Sequence, residues 1–289
     1  EKLVNFVPEG EEINNTLRAW LSMARIDLLS SDQHKDSFPK RDAQMQVAFE
    51  ELEGFNKEEL ATYILVQVGR NLALKDTAEG DAAAVEWFKA VLDRGPSDFY
   101  PLALMGQARV LAKTGGSSTF NEAISAFDQV IRELKDKPEY MEEAMLNKGK
   151  LYFQKKMWDE ASQVLLDMTD IRGFTKSRAE VFYLLGRSYQ EKGNVDKALE
   201  AYVPFVGPPL ENYVEYSAEA RVRAAEIQMG KDNKDKAFKL IKDTVSRMYK
   251  LSKHPVAGEW VEKAKTHYKQ LRDELQEPPD PDEGVWGVR

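Results

Sequence analysis

The stretch FYLLGRSYQEKGNVDKALEAYVPF, Phe182 to Phe205, decides the fold. Phe182, Leu185, Gly186 and Tyr189 recur at helical spacing. The polar run Lys192-Gly193-Asn194 interrupts the pattern, and Ala198, Tyr202 and Phe205 resume it at i, i+4 and i+7. Two amphipathic helices joined by a tight turn satisfy that order. A glycine in a helix interior costs about 1 kcal/mol relative to alanine. Gly186 therefore implies close approach by a neighbouring helix.

Moving outward, the same hairpin recurs. Ala84, Ala123, Ala161, Ala198 and Ala237 are separated by 39, 38, 37 and 39 residues. Large apolar residues follow each at i+4: Phe88, Phe127, Leu165, Tyr202 and Ile241. A second column, Gly69, Gly106, Gly149 and Gly186, continued by Ala225, precedes the first. Self-similarity of this period is the signature of a stacked-repeat architecture. Gly95-Pro96, Pro138, Gly207-Pro208-Pro209 and His254-Pro255 fall between the units, where helices must end. Gly193 and the run Gly230-Lys231-Asp232-Asn233 offer Gly or Asn for positive φ in the inter-helix turns. Sustained apolar/polar alternation is missing, so no sheet is expected.

Phe182, Leu185, Gly186, Tyr189, Ala198 and Tyr202 resemble the signature of the tetratricopeptide repeat family, and Met145, Gly149, Tyr152, Ala161 and Leu165 match next. The resemblance extends over about residues 13 to 250, with periods longer than the family's usual ~34. It implies an all-α, right-handed superhelical solenoid of tetratricopeptide-like hairpins. Residues 1–56 are read as a degenerate N-terminal hairpin, 57–254 as five repeats, 255–276 as a capping helix and 277–289 as a proline-rich acidic tail. The capping helix carries Trp260, Ala264, Tyr268 and Leu271 on one face, with polar residues elsewhere. The tail, with Pro278, Pro279 and Pro281, is not expected to form regular helix.

Composition narrows the function. Net charge is −8 with basic residues scattered, which argues against nucleic acid as a partner. The apolar run around Tyr63-Ile64-Leu65-Val66 is too short to span a bilayer, so membrane association would need an anchor outside these residues. No cysteine is present, which excludes disulfides and thiolate metal sites. Absent cysteine also fits a periplasmic or outer-membrane-associated setting as well as it fits ordinary scarcity. His34, His254 and His267 are scattered and form no metal-binding pattern. Lys113-Thr114-Gly115 and Ser37-Phe38-Pro39-Lys40 mimic penicillin-binding-protein motifs without the sheet that those motifs require. Paired acids such as Glu50 and Glu51 are adjacent and do not face one another on a helix. No catalytic residue, metal or cofactor is expected. Trp20, Trp87, Trp158 and Trp260 are expected in core or inter-repeat packing.

The family resemblance implies a groove lined by first helices, with the residue after each small position facing it. That column reads Arg25, Arg70, Gln107, Lys150, Arg187 and Glu226. Neighbouring columns add Tyr63, Val66, Tyr100, Leu146, Asn147, Phe153, Tyr183 and Gln190. Cations among aromatic surface suit a protein or peptide segment bearing acidic groups. The full carboxylate-clamp set of chaperone-binding members is missing, although Asn147 is present. Two functions stay open: a non-enzymatic scaffold in a bacterial cell-envelope assembly, or a module for a glycan or peptidoglycan strand. Val285, Trp286 and Val288 are expected to dock on an apolar surface of this chain or of a neighbour, the latter giving a homo-oligomer.

Overall fold

The structure is a computed structural model that describes residues 14–31, 40–114, 117–171, 177–208 and 210–288. His34, Ser37, Phe38 and Pro39 lie outside the described residues. Among the described residues, every regular element is a helix. The chain forms two compact units, residues 1–147 and 148–289.

In the first unit, α1 (Asn15–Ser30), α2 (Arg41–Glu53), α3 (Thr62–Ala73), α4 (Ala78–Asp93), α5 (Tyr100–Thr114) and α6 (Ser117–Glu133) pack in chain order, and α7 (Pro138–Gln154) begins there. Local chemistry sets several starts. The Asn14 side chain accepts the Leu17 amide at 3.0 Å, and Thr77 Oγ1 accepts that of Gly80 at 3.1 Å. One continuous core links Met23, Phe49, Leu65, Trp87, Phe88 and Val110.

The second unit stacks the remaining turns of α7 with α8 (Trp158–Thr169), α9 (Arg178–Glu191), α10 (Val195–Tyr202), α11 (Val214–Gly230), α12 (Lys234–Met248) and α13 (Gly258–Leu275). Within each unit, consecutive hairpins packed in this way make an all-α solenoid.

Both small-residue columns sit at helix seams. A Cβ on Gly106 would come within 2.5 Å of the Phe88 ring, and one on Gly149 within 2.9 Å of Leu165. A Cβ on Gly186 would overlap the Tyr202 ring. Ala84, Ala123, Ala161, Ala198, Ala225 and Ala237 are all fully buried.

Three inter-helix turns share one geometry. Lys156 (φ 59°), Gly193 (φ 77°) and Asp232 (φ 59°) each take the left-handed conformation. The amide three residues past each helix then closes on a carbonyl five residues back: Met157 on Tyr152, Asn194 on Tyr189 and Asn233 on Gln228, at 2.8–2.9 Å. This is the Schellman closure. The sequence expectation is corrected at one turn: Asp232 carries the positive φ there, and neither Gly230 nor Asn233 does. The closing amide has to fall on Asn233 for its bond to Gln228, which fixes the residue before it as left-handed.

Between α10 and α11 the chain runs through short 3₁₀ turns at Val203–Val206 and Leu210–Asn212. Arg221 of α11 is fully buried beneath this segment. Its guanidinium donates to the carbonyls of Phe205 (2.9 Å) and Val206 (2.7 Å) and to Asp243 Oδ2 (2.7 Å). A buried arginine with every direction bonded fixes a connection that composition alone would leave as a loop.

The tail departs from its expected irregularity. Residues 283–286 form one helical turn, α14 (Glu283–Trp286). The turn starts just past Pro281, so no proline interrupts it. Trp286 and Val288 are buried in the same molecule, against Tyr268, Leu271 and Phe238. Val285 is 62% exposed, which corrects its expected docking role. A single turn that seats Trp286 points its preceding neighbour outward.

Candidate functional site

The candidate residues belong to the first helix of each hairpin, and the two units treat them differently. In the first unit, α3 is buried between its two end residues except along Tyr63, Gln67 and Arg70. Tyr63 stands between two other aromatics: Trp20 of α1, ring centroids 6.4 Å apart, and Phe99, just before α5, at 6.1 Å. The three rings form a continuous apolar floor. Trp20 is 45% exposed, which corrects its expected core position. It lies on the open face of α1, whereas Ala19, Met23 and Ile26 fill the buried face. Arg70 is exposed beside this floor and makes no ion pair among the described residues.

Other members of the expected groove turn elsewhere. Arg25 is held by Glu51 at 3.2 Å, within the first hairpin. The Tyr100 hydroxyl donates to Glu133 at 2.8 Å, so the ring faces α6, and Phe99 occupies the ladder position instead. Gln107 and Asn147 are half-buried. Val66 is fully buried and Leu146 is 7% exposed, so both belong to the interior and neither is available to a ligand.

In the second unit the cation column is neutralised by carboxylates on the next first helix. Lys150 of α7 pairs with Glu180 of α9 at 2.6 Å. Arg187 of α9 donates to Glu219 of α11 at 2.9 Å and to the Tyr183 hydroxyl at 3.0 Å. Its guanidinium also lies over the rings of Phe153 (5.8 Å) and Tyr183 (5.9 Å). Arg223 of α11 shares Glu219 at 2.6 Å and lies 5.0 Å from the centroid of Trp260 of α13. Glu226 then meets Lys263 at 2.7 Å and His267 at 3.0 Å. The Tyr183 ring packs 5.2 Å from that of Tyr216, and Gln190 accepts the Tyr202 hydroxyl at 3.0 Å.

The titration behaviour follows from this closure. Burial, reinforced by the Glu219 charge, pushes the Tyr183 phenol up to about 12. Burial raises Glu226 as well, but hydrogen bonds from Lys263 and His267 outweigh it and leave the carboxyl below its ordinary value. A surface so paired stabilises the stack and leaves little net charge to attract a ligand. Sequence reasoning missed Glu180, Glu219 and Phe99. The first two carried a signal: each lies about one repeat beyond the cation it pairs with, as Glu143 does for Arg109.

Among the described residues, no group of three His, Cys, Asp or Glu side chains is placed to hold a metal ion. No helix there is long and apolar enough to cross a membrane.

Comparison with known proteins bears on the same hairpins. Residues 179–203, from the start of α9 to just past α10, match the tetratricopeptide repeat family model. Among solved structures, the MamA RS-1 ArsTM double mutant is similar at 19% identity and a TM-score of 0.43, covering 74% of this chain and 98% of its own. The human IFIT1 dimer with m7Gppp-AAAA is similar at 15% identity and a TM-score of 0.27, covering 96% of this chain and 80% of its own. The de novo designed helical repeat protein DHR64 is similar at 15% identity and a TM-score of 0.17, covering 91% and 96%. No curated protein matches the chain in sequence. Hairpin α9–α10 is thus similar to a tetratricopeptide repeat, and the neighbouring hairpins keep its small-residue seam.

Proposed function

We propose that this array of tetratricopeptide-type hairpins is a non-enzymatic scaffold that holds a segment of a partner protein along the first-helix face of its first unit. The observation that carries the reading is the ladder Trp20–Tyr63–Phe99, with Trp20 almost half exposed and Arg70 uncommitted beside it. A large aromatic surface left open next to a single cation suits a segment with apolar side chains and one carboxylate. The closed ion lattice of the second unit supports assigning that unit to stability. A cell-envelope assembly is the context we assign to the scaffold, with which the absence of cysteine is compatible.

Capture of partners from the native source, with identification by mass spectrometry, tests this reading. Trp20→Ala and Arg70→Glu should each abolish a specific capture that the unaltered protein makes. Retention of the same partner by both variants would refute the assignment.

The exposed Trp20 ring also favours a second reading, a stacking platform for a sugar ring of a glycan or peptidoglycan strand. Retention on immobilised polysaccharide that Trp20→Ala abolishes and Arg70→Glu leaves intact distinguishes it from the first.

A further inference from the structure

The face of α12 and α13 that carries residues 280–288 has the properties of a binding site, and its occupant those of a ligand. Phe238 stacks on Tyr268 with ring centroids 5.4 Å apart. Trp286 then meets the Tyr268 ring edge-on at 5.8 Å. Trp286 is 6% and Val288 1% exposed, seated among Ile241, Leu271 and the two rings. This is an aromatic anchor in an apolar pocket, the arrangement that dominates recognition energetics.

Polar contacts fix the register. The buried Glu283 carboxylate accepts the Tyr268 hydroxyl at 3.0 Å, Arg272 Nη1 at 2.8 Å and the Asp280 amide at 3.1 Å. Asp280 itself pairs with Lys242 of α12 at 2.7 Å. Gly287 takes φ 70°, which lets the Val288 amide close on the Glu283 carbonyl at 2.9 Å and turns Val288 inward. The seat supplies two donors to the segment's buried carboxylate, Tyr268 and Arg272, and an apolar pocket for its tryptophan, and so reads a specific sequence.

The link from α13 to this segment is short and rich in proline. α13 is capped by Gln276, a non-glycine residue at φ 55°, with the Glu277 amide on the Arg272 carbonyl at 3.0 Å, and Pro278 and Pro279 follow with no amide hydrogen to donate. None of the anchoring contacts involves residues 276–279. They depend on the segment's own groups and not on which chain supplies them, and a strained, proline-rich hinge is the setting in which such segments exchange between copies.

We propose that the α12–α13 face is a peptide-binding seat, that residues 280–288 are its built-in ligand, and that the same segment of a second copy of this chain can take its place. At low protein concentration the tethered segment wins through its high effective concentration. Exchange grows as concentration rises, giving reciprocal dimers held by the same contacts that a single chain makes.

The test uses the full-length protein and a fluorescent peptide of residues 277–289. Trp286→Ala in the protein weakens its own segment and leaves the seat intact. That variant should bind the peptide, and a peptide with the same substitution should bind about a hundredfold more weakly, the order set by losing a buried tryptophan. The unaltered protein, its seat filled, should bind the peptide more weakly than the variant does. If Trp286→Ala lowers helicity by circular dichroism, Val288→Ala serves in its place. Absence of peptide binding to a folded variant overturns the seat. For the second copy, Trp286→Ala protein is mixed with Arg272→Glu protein, whose seat is damaged and whose segment is intact. Sedimentation velocity should show a mixed dimer that neither variant forms alone. Persistent monomers in the mixture overturn exchange between copies.

Discussion

Arg187 of α9 donates to Glu219 of α11 at 2.9 Å, across the seam between consecutive first helices. Both side chains are largely buried, and the same guanidinium binds the Tyr183 hydroxyl and covers two aromatic rings. Removing one partner of such a pair strands the other in a poorly solvated place. Arg187→Glu should destabilise the protein by about 3 kcal/mol or more. Urea unfolding followed by helicity measures this. Arg187→Lys keeps the charge, loses the planar donors and should fall between the two.

Arg221 and Asp243 set the response to acid. Burial raises the Asp243 carboxyl, but hydrogen bonds from Arg247 and Arg221 overcome it and hold the group below its ordinary value. Glu226 and Glu283 are likewise burial-raised and net-lowered by their cationic partners. A depressed carboxyl contributes stability that is complete above its unfolded value, about 4. That stability is lost as pH falls through the lower folded value. Stability should therefore be flat near neutrality and fall below about pH 4. Arg221→Met strips the buried donor from the Val206 carbonyl, leaves the Phe205 carbonyl with only the Ser217 hydroxyl at 3.5 Å and leaves Asp243 with Arg247 alone. It should cost about 3–5 kcal/mol and move the acid transition to higher pH. Acid titration of helicity, comparing the two proteins, checks both effects.

The glycine seams give a sharper comparison. Gly186→Ala places a methyl into the Tyr202 ring, and the overpacking should cost about 1–3 kcal/mol despite the better helix former. Gly230→Ala, at the end of α11 with nothing within 4 Å of the added carbon, should be neutral or stabilising. Thermal melts should show a lowered midpoint for Gly186→Ala and no lowering for Gly230→Ala.

The shared turn predicts a gain of stability. Lys156 holds φ 59° where Gly193 holds φ 77° in the equivalent turn. Lys156→Gly relieves left-handed strain and should stabilise by about 0.5–1 kcal/mol, while Gly193→Ala should lose about 1 kcal/mol. Denaturant midpoints at constant slope report both changes.

Much of the fold was legible because its constraints are local and periodic. A glycine about two to three turns into an amphipathic pattern has few explanations besides a helix crossing, and Gly106, Gly149 and Gly186 all lie at one. The site was harder to read because a column of cations looks the same whether it awaits a ligand or is already paired. Lys150 and Arg187 are paired by Glu180 and Glu219 on the following first helix, and only cross-repeat registration reveals that. Tyr100 and Phe99 differ by one residue, about 100° around a helix, which exceeds what repeat counting resolves. Trp20 escaped because it lies off the face of α1 that Ala19, Met23 and Ile26 bury, and an isolated tryptophan carries no signal for which face it takes. Arg221 had no sequence signal, since its partners are carbonyls of a non-repeating connection.

The account rests on the first unit's aromatic floor as the place where a partner lies. A photo-crosslinking side chain at Tyr63, and separately at Tyr183, in protein exposed to the native source tests it most directly. Crosslinks to a common partner from position 63, with position 183 silent, are the predicted result. Crosslinks from position 183 with none from 63 would contradict it.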